Sequence, residues 1–135
     1  MHTPATTAPG TRTTARTYPG KRDQVRHVRH DLQHTLAGCP AAADVILCAS
    51  ELAANAVLHS NSARPGGTIT VRVHIAPGDH VQIEVDDHGG HWTQPAPDPT
   101  RGRGLDIIRG LAADWGITNT PRGRTIWARL TWPAS

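Results

Sequence analysis

The run from Ala42 to Ser60 constrains this chain most, because it holds neither Pro nor Gly and repeats apolar residues at helical spacing. Such a run specifies a helix of roughly 28 Å at 1.5 Å per residue. Val45, Ile46, Cys48, Ala49, Leu52, Ala53 and Ala56 give it a broad apolar surface, which predicts a largely buried helix. Asp44 sits near its start, where a carboxylate suits the helix dipole. Glu51, Asn55 and His59 fall four apart and share one stripe. Burying a carboxylate and a carboxamide costs free energy unless something pairs with them. A hydrated divalent cation with a phosphate chain would pair with both. On an exposed face, water does the same, and exposed polar residues are the norm. The stripe alone does not separate the two cases.

The 135 residues suffice for one domain with a real core. The hydrophobic share is only 37%, and much of the deficit lies in the first residues, rich in Thr, Ala, Pro and Arg. Met1 to about Arg16 is therefore expected as a disordered tail (1–16), with the folded domain over 17–135. Thr13 to Tyr18 can form a short edge strand. The tail has no apolar core, so it does not read as a secretory signal. No run approaches the roughly 20 apolar residues of a membrane span. Cys39 and Cys48 make no metal or disulfide framework and read as two reduced thiols. These features describe a soluble, cytoplasmic protein. The formal charge of +3 favours anionic partners without choosing among them.

Lys21 to Ala37 reads as an amphipathic helix with Val25, Val28, Leu32 and Leu36 on one stripe and Gly38 as its C-terminal cap. His27, His30, Asp31 and His34 on its other faces have spacings that suit a metal. Without a Cys or an inward fourth ligand, a solvated polar face is the better reading. Thr68 to Ile75 and Val81 to Val85 alternate as two strands of an antiparallel hairpin around Pro77-Gly78-Asp79. His91 to Arg101 is a loop carrying Pro95, Pro97 and Pro99. Leu105, Ile108, Leu111, Ala112 and Trp115 mark a third helix, followed by a short strand Ile117 to Thr120 and a last strand Arg124 to Trp132. Trp115 and Trp127 are expected in the core. The order helix, helix, strand, strand, helix, strand, strand implies a two-layer α/β sandwich of the α+β class. Its mostly antiparallel, mixed sheet is covered on one face by three helices.

Asp87-His88-Gly89 follows the second strand directly. A carboxylate there can accept from an amine, and a glycine two residues on lets a flat ring approach the backbone. Asp and Gly are also ordinary turn residues, so this signal is weak. Gly102-Arg103-Gly104-Leu105 at a helix start is stronger. Free backbone N–H groups and the helix dipole favour a phosphate there, and Arg101 and Arg103 add charge. It is neither a lysine-bearing P-loop nor a dinucleotide fingerprint, because a Pro-rich loop precedes it.

Taken in order, Glu51-Leu-x-x-Asn55, Val85-x-Asp87-x-Gly89, Gly102-Arg-Gly-Leu105 and Gly123-Arg-Thr125-Ile-Trp127 resemble the ATP-binding (Bergerat, GHKL) fold shared by gyrase, mismatch-repair, chaperone and histidine-kinase ATPases. Within it the chain looks most like the small anti-sigma-factor serine kinases, over about Tyr18 to Leu130. The resemblance implies ATP and Mg²⁺ as cofactors, with Asn55 as metal ligand and Glu51 as the general base. It implies Asp87 on the adenine amine, Gly89 making room for the ring, and Gly102, Arg103, Gly104 and Leu105 at the phosphates. Thr125 would support the adenine end, and His91 to Arg101 would be the lid. The implied partners are an anti-sigma-factor antagonist, phosphorylated on Ser or Thr, and a sigma factor; a homodimer also fits the family.

The chain departs from the usual DxGxG at His91, and its lid is short and stiffened by prolines. An alternative is thus a regulator of the same fold that binds nucleotide or protein without turnover. A nucleic-acid binder fits poorly, because Phe is absent and no helix concentrates enough Arg. No phosphoacceptor helix precedes the domain, which argues against a histidine kinase.

Overall fold

A computed structural model describes residues 10–58, 64–88, 103–121 and 123–133. In chain order they form β1 (Arg12–Pro19), a 3-10 turn (Arg22–Gln24), α1 (Val25–Thr35), α2 (Ala42–Leu58), β2 (Thr68–Ala76), β3 (His80–Asp87), α3 (Arg103–Leu111), β4 (Asp114–Thr120) and β5 (Gly123–Thr131). The strands make one sheet in the order β1-β2-β3-β5-β4. All of its pairings are antiparallel.

Strand alternation decides which face is covered. Ile69, Val71, Val73 and Ile75 of β2, Val81, Ile83 and Val85 of β3, and Ile126, Ala128 and Leu130 of β5 are buried in one cluster. The apolar face of α2 (Val45, Cys48, Ala49, Leu52, Ala53, Ala56) fills the other side of that cluster. Val28 and Leu32 of α1, with Leu36 just past its end, close it. α2 packs on β2, β3, β5, α1 and α3, so the long Pro-free run is the central helix, as its composition predicts. Each fully buried Leu or Ile here contributes about 1.5–3 kcal/mol relative to exposure.

The connections follow local chemistry. Between β2 and β3, the Asp79 N–H donates to the Ala76 carbonyl at 2.9 Å, with Gly78 at φ 81°. Pro followed by a left-handed Gly is the composition of a type II turn. α1 ends where Gly38 takes φ 82°, the usual helix stop.

The N-terminal strand starts inside the stretch expected as a tail, since Arg12 to Arg16 pair with Ile75 to Val71 of β2. Its end is pinned by Tyr18, whose hydroxyl donates to Asp31 Oδ2 of α1 at 2.7 Å, while Arg16 reaches the same oxygen at 3.0 Å. Asp31 is thereby held below the usual carboxylate range, first by the Tyr18 hydrogen bond and then by Arg16 against the cost of burial. Residues 1–9 of the expected tail lie outside the described residues.

The last helix is shorter than its apolar spacing predicts. It stops at Leu111, and Trp115 belongs to β4, opposite Ala128. The sheet captures the chain early, with the Ala113 N–H donating to the Arg129 carbonyl at 2.8 Å. Trp115 is half-buried against the core, with the Arg109 guanidinium 5.7 Å from its ring centroid. Trp127 is not a core residue either. Strand alternation turns it to the face away from the helices, where it lies over Gly116. Among the described residues no helix is long and apolar enough to cross a membrane.

Candidate functional site

One end of the sheet collects the sequence features singled out above. The register brings Pro19 beside Thr68, Thr70 beside Asp86, Asp87 beside Arg124, and Thr120 beside Gly123. There the Thr68 hydroxyl also meets His88 Nε2 at 3.1 Å.

Asp87 continues the buried row Val81, Ile83, Val85 of β3, so its carboxylate points into the helix layer. The continuing row of β5 (Ile126, Ala128, Leu130) begins with Arg124, directly across. The Arg124 Nε and Nη2 groups donate to Asp87 Oδ2 at 3.0 and 2.8 Å. Their side chains are 3% and 0% exposed. A charge so deep persists only when paired, because desolvation of either ion alone costs several kcal/mol. The strands come unusually close at this point. A Cβ added at Gly123 would run into the Asp87 carbonyl oxygen, so the glycine is a packing requirement.

Arg124 was not among the expected site residues. The available signal was its place in the period-2 row of β5: a charge where Ile126, Ala128 and Leu130 are apolar. Thr125, expected at the adenine end, faces the other way. Its hydroxyl donates to Asp86 Oδ1 at 2.6 Å on the open face of the sheet. One residue of strand register separates the two faces, so Arg124, not Thr125, is the β5 side chain beside Asp87.

That open face carries a polar network of its own. Arg72 binds Asp86 through both terminal nitrogens and donates from Nε to Glu84 Oε1 at 2.9 Å. Burial raises both carboxyls, but hydrogen bonds from Arg72, with Gln82 and His74 on Glu84 and Thr125 on Asp86, outweigh it and hold both below their usual range.

Glu51 and Asn55 are half-buried on α2, one turn apart, as their spacing predicts. On the turn below, buried Ser50 accepts from Arg29 Nε at 2.9 Å and donates to the Ile46 carbonyl at 2.8 Å, which ties α1 to this helix. Burial, then the charges of Asp44 and Glu51, push the Cys48 thiol up to about 11. α3 opens at Arg103, so Gly104 and Leu105 lie in its first turn, where backbone N–H groups face outward along the axis. Gly89, Gly102, His59 and the lid from His91 to Arg101 lie outside the described residues.

The donor set suits a purine nucleotide. A buried carboxylate and guanidinium sit side by side at the sheet end, and a carboxamide on α2 offers an oxygen to a cation. Mg²⁺ needs only one or two protein ligands when phosphates and water complete its octahedron. No cluster of three or more His, Cys, Asp or Glu side chains suited to a metal occurs among the described residues. On α1, the His30 and His34 rings meet edge to face at 4.9 Å, while Asp31 is engaged by Tyr18 and Arg16.

Comparison with known proteins agrees with this layout. The model of the histidine kinase-like ATPase domain matches residues 18–130. No curated protein matches the sequence. Among solved structures, the chain is similar to the RsbU and RsbW domains of Rv1364c from Mycobacterium tuberculosis, with TM-score 0.68 and 24% identity over 91% of this chain and 34% of that one. It is also similar to the histidine kinase domain of the blue-light activated histidine kinase EL346 from Erythrobacter litoralis, with TM-score 0.55 and 17% identity over 84% of this chain and 61% of that one. At these identities the likeness is one of fold, and the chain spans about a third of the first relative's length. The family match covers nearly all the described residues and includes α2, Asp87, α3 and β5: the chain belongs to the histidine kinase-like ATPase domain family, a fold whose ligand is ATP.

Proposed function

We propose that this protein binds ATP with Mg²⁺ and transfers the γ-phosphate to a Ser or Thr of an antagonist protein, controlling a sigma factor through that partner. The observation that carries the reading is the buried Asp87 carboxylate on the helix side of the sheet, in a chain whose central helix presents Glu51 and Asn55 one turn apart. When bound, Mg²⁺–ATP supplies the phosphoryl group and the metal charge that spreads over its oxygens. Asp87 accepts from the adenine amine, and Gly89 leaves room for the ring. Asn55 offers its amide oxygen to the ion. Gly102, Arg103, Gly104 and Leu105 are assigned to the phosphates, through backbone N–H groups and the charge of Arg103. Glu51 takes the proton of the attacking hydroxyl, which requires only a carboxylate within hydrogen-bond reach. Likeness to a structure containing an RsbW domain supports this partner class.

A second reading, a regulator that binds without turnover, is favoured by His91 in the glycine-rich motif and by Arg124 engaging Asp87 in advance. Label transfer from γ-labelled ATP to antagonist proteins of the same genome separates the two. Transfer that falls at least about a hundredfold in Glu51→Gln supports the kinase reading. Undiminished transfer in that variant removes Glu51 as base. No transfer by wild type, with ATP bound, selects the second reading.

A further inference from the structure

We infer that Leu47 docks the phosphoacceptor protein, whose acceptor segment crosses α2 from Asp44 towards Glu51. This rests on the kinase reading above and adds a contact that reading does not use. Helical spacing sets the frame. Positions three and four apart share a face, so Ala43, Asp44, Leu47, Glu51, Ala54 and Leu58 form one stripe of α2. The buried residues of the helix lie off this stripe, against the sheet and the neighbouring helices. Leu47 is 42% exposed. A solvated helix face ordinarily carries charge, as α1 does with Arg26, His27, Arg29 and His30. The outward stripe of α2 is instead apolar apart from Asp44 and Glu51.

A single exposed leucine is ordinary, so its position decides the reading. A general base needs the acceptor hydroxyl within about 2.6–3.2 Å. The acceptor segment therefore passes directly over Glu51. Asn55, one turn further on, is assigned to Mg²⁺, and the phosphates with it take that side. Leu47 lies one turn the other way, about 6 Å along the axis. An extended chain advances about 3.3 Å per residue and presents every second side chain to the same face. The side chain two residues from the acceptor Ser or Thr thus falls on Leu47, and an apolar one covers it from water. Asp44 is exposed about 10 Å from Glu51 along the axis and calls for a basic group beyond that apolar one. Leu58 lies past Asn55, on the side assigned to the nucleotide, and takes no part.

The test uses the full chain and an antagonist protein of the same genome that accepts label from γ-labelled ATP. Steady-state transfer gives the KM for that protein, and calorimetry gives the affinity for Mg²⁺–ATP. Leu47→Gln keeps a good helix former and removes apolar surface. It should raise the acceptor KM about tenfold, with kcat and ATP affinity unchanged. Leu47→Met, which keeps the apolar surface, should stay within about twofold of wild type. Ile117→Gln, at a leucine-sized apolar position 39% exposed on β4, should leave the KM as it is. The wild-type acceptor KM should rise with salt, as screening weakens the pairing at Asp44. An unchanged KM in Leu47→Gln, or an equal rise in Ile117→Gln, overturns this inference and leaves the kinase reading standing. So does a KM that stays level with salt, which removes the approach past Asp44. Loss of ATP affinity in Leu47→Gln, or a change in its sedimentation, would mean that nucleotide or a second copy depends on Leu47, and overturns the inference equally. Transfer to no antagonist by wild type removes the kinase reading and this inference with it.

Discussion

Arg124 and Asp87 meet at 2.8 Å across the β3–β5 pair, with side chains 3% and 0% exposed. The same Arg124 neighbours Thr125, which bonds Asp86 on the opposite face. Two successive residues on each strand thus serve two separate networks: one sealed beneath the helices, one open to water.

Removing one partner of that pair leaves an uncompensated charge. Asp87→Ala should cost about 3–5 kcal/mol of folding stability. Replacing both with apolar groups, as Asp87→Leu with Arg124→Met, should restore much of it, because neither charge is then desolvated. Urea unfolding of the single and double variants measures this. A double variant less stable than either single one would mean that the pair itself holds the fold.

Gly123 and Gly116 lie on adjacent strands but differ in what crowds them. A Cβ at Gly123 meets the Asp87 backbone carbonyl, which cannot move without opening β3 from β5. At Gly116 it meets Trp127 Nε1 at 2.9 Å, on a half-buried ring. Gly123→Ala should therefore destabilise by about 1–3 kcal/mol or more, and Gly116→Ala by less. Equal losses in thermal melts would contradict this ordering.

The general architecture was legible because period is a strong signal. Alternation in Thr68 to Ile75 and Val81 to Val85 marks the hairpin, and the Pro-free run from Ala42 marks the central helix. Tertiary pairing overrode local pattern in two places. Trp115 continues a helical spacing but is drawn into β4 by pairing with β5, the strand that follows it in the chain. Arg12 to Arg16 look like tail by composition but find a partner in β2. Among the site residues, Glu51, Asn55 and Asp87 sit on the elements expected for them. The period-2 row of β5 puts Arg124 on the inner face, but its contact with Asp87 depends on the register between β3 and β5, which the sequence does not show.

Acid should act first through the open-face carboxylates. Glu84 and Asp86 are desolvated, yet hydrogen bonds led by Arg72 hold them below their ordinary values of 4.5 and 3.8. A depressed carboxyl contributes stability that is complete above its unfolded value and is lost as pH falls through its folded one. Unfolding midpoints should thus stay level from about pH 7 to 5 and decline below about pH 4.5. In Arg72→Leu the decline should be shallower; a decline as steep as in wild type would contradict the assignment.

The two thiols should react differently. Cys48 is buried, with its thiol pushed up to about 11 by burial and then by Asp44 and Glu51. Thiolate is the reactive form, so a disulfide reagent should modify only half-exposed Cys39 in the native state. Cys48 should react at the rate of unfolding. Rapid native modification of both would mean that α2 opens readily from the sheet.

The helix side of this sheet end is the proposed ATP site. Calorimetric titration of Mg²⁺–ATP into wild type, Asp87→Asn and Asn55→Ala tests it most directly. Wild type should bind saturably, and Asp87→Asn should lose at least about tenfold, because a charge-assisted acceptor is weakened. In Asn55→Ala a loss should be seen with Mg²⁺ present and be much reduced when Mg²⁺ is chelated. Binding that is the same in all three proteins, or absent from folded wild type, would contradict the assignment.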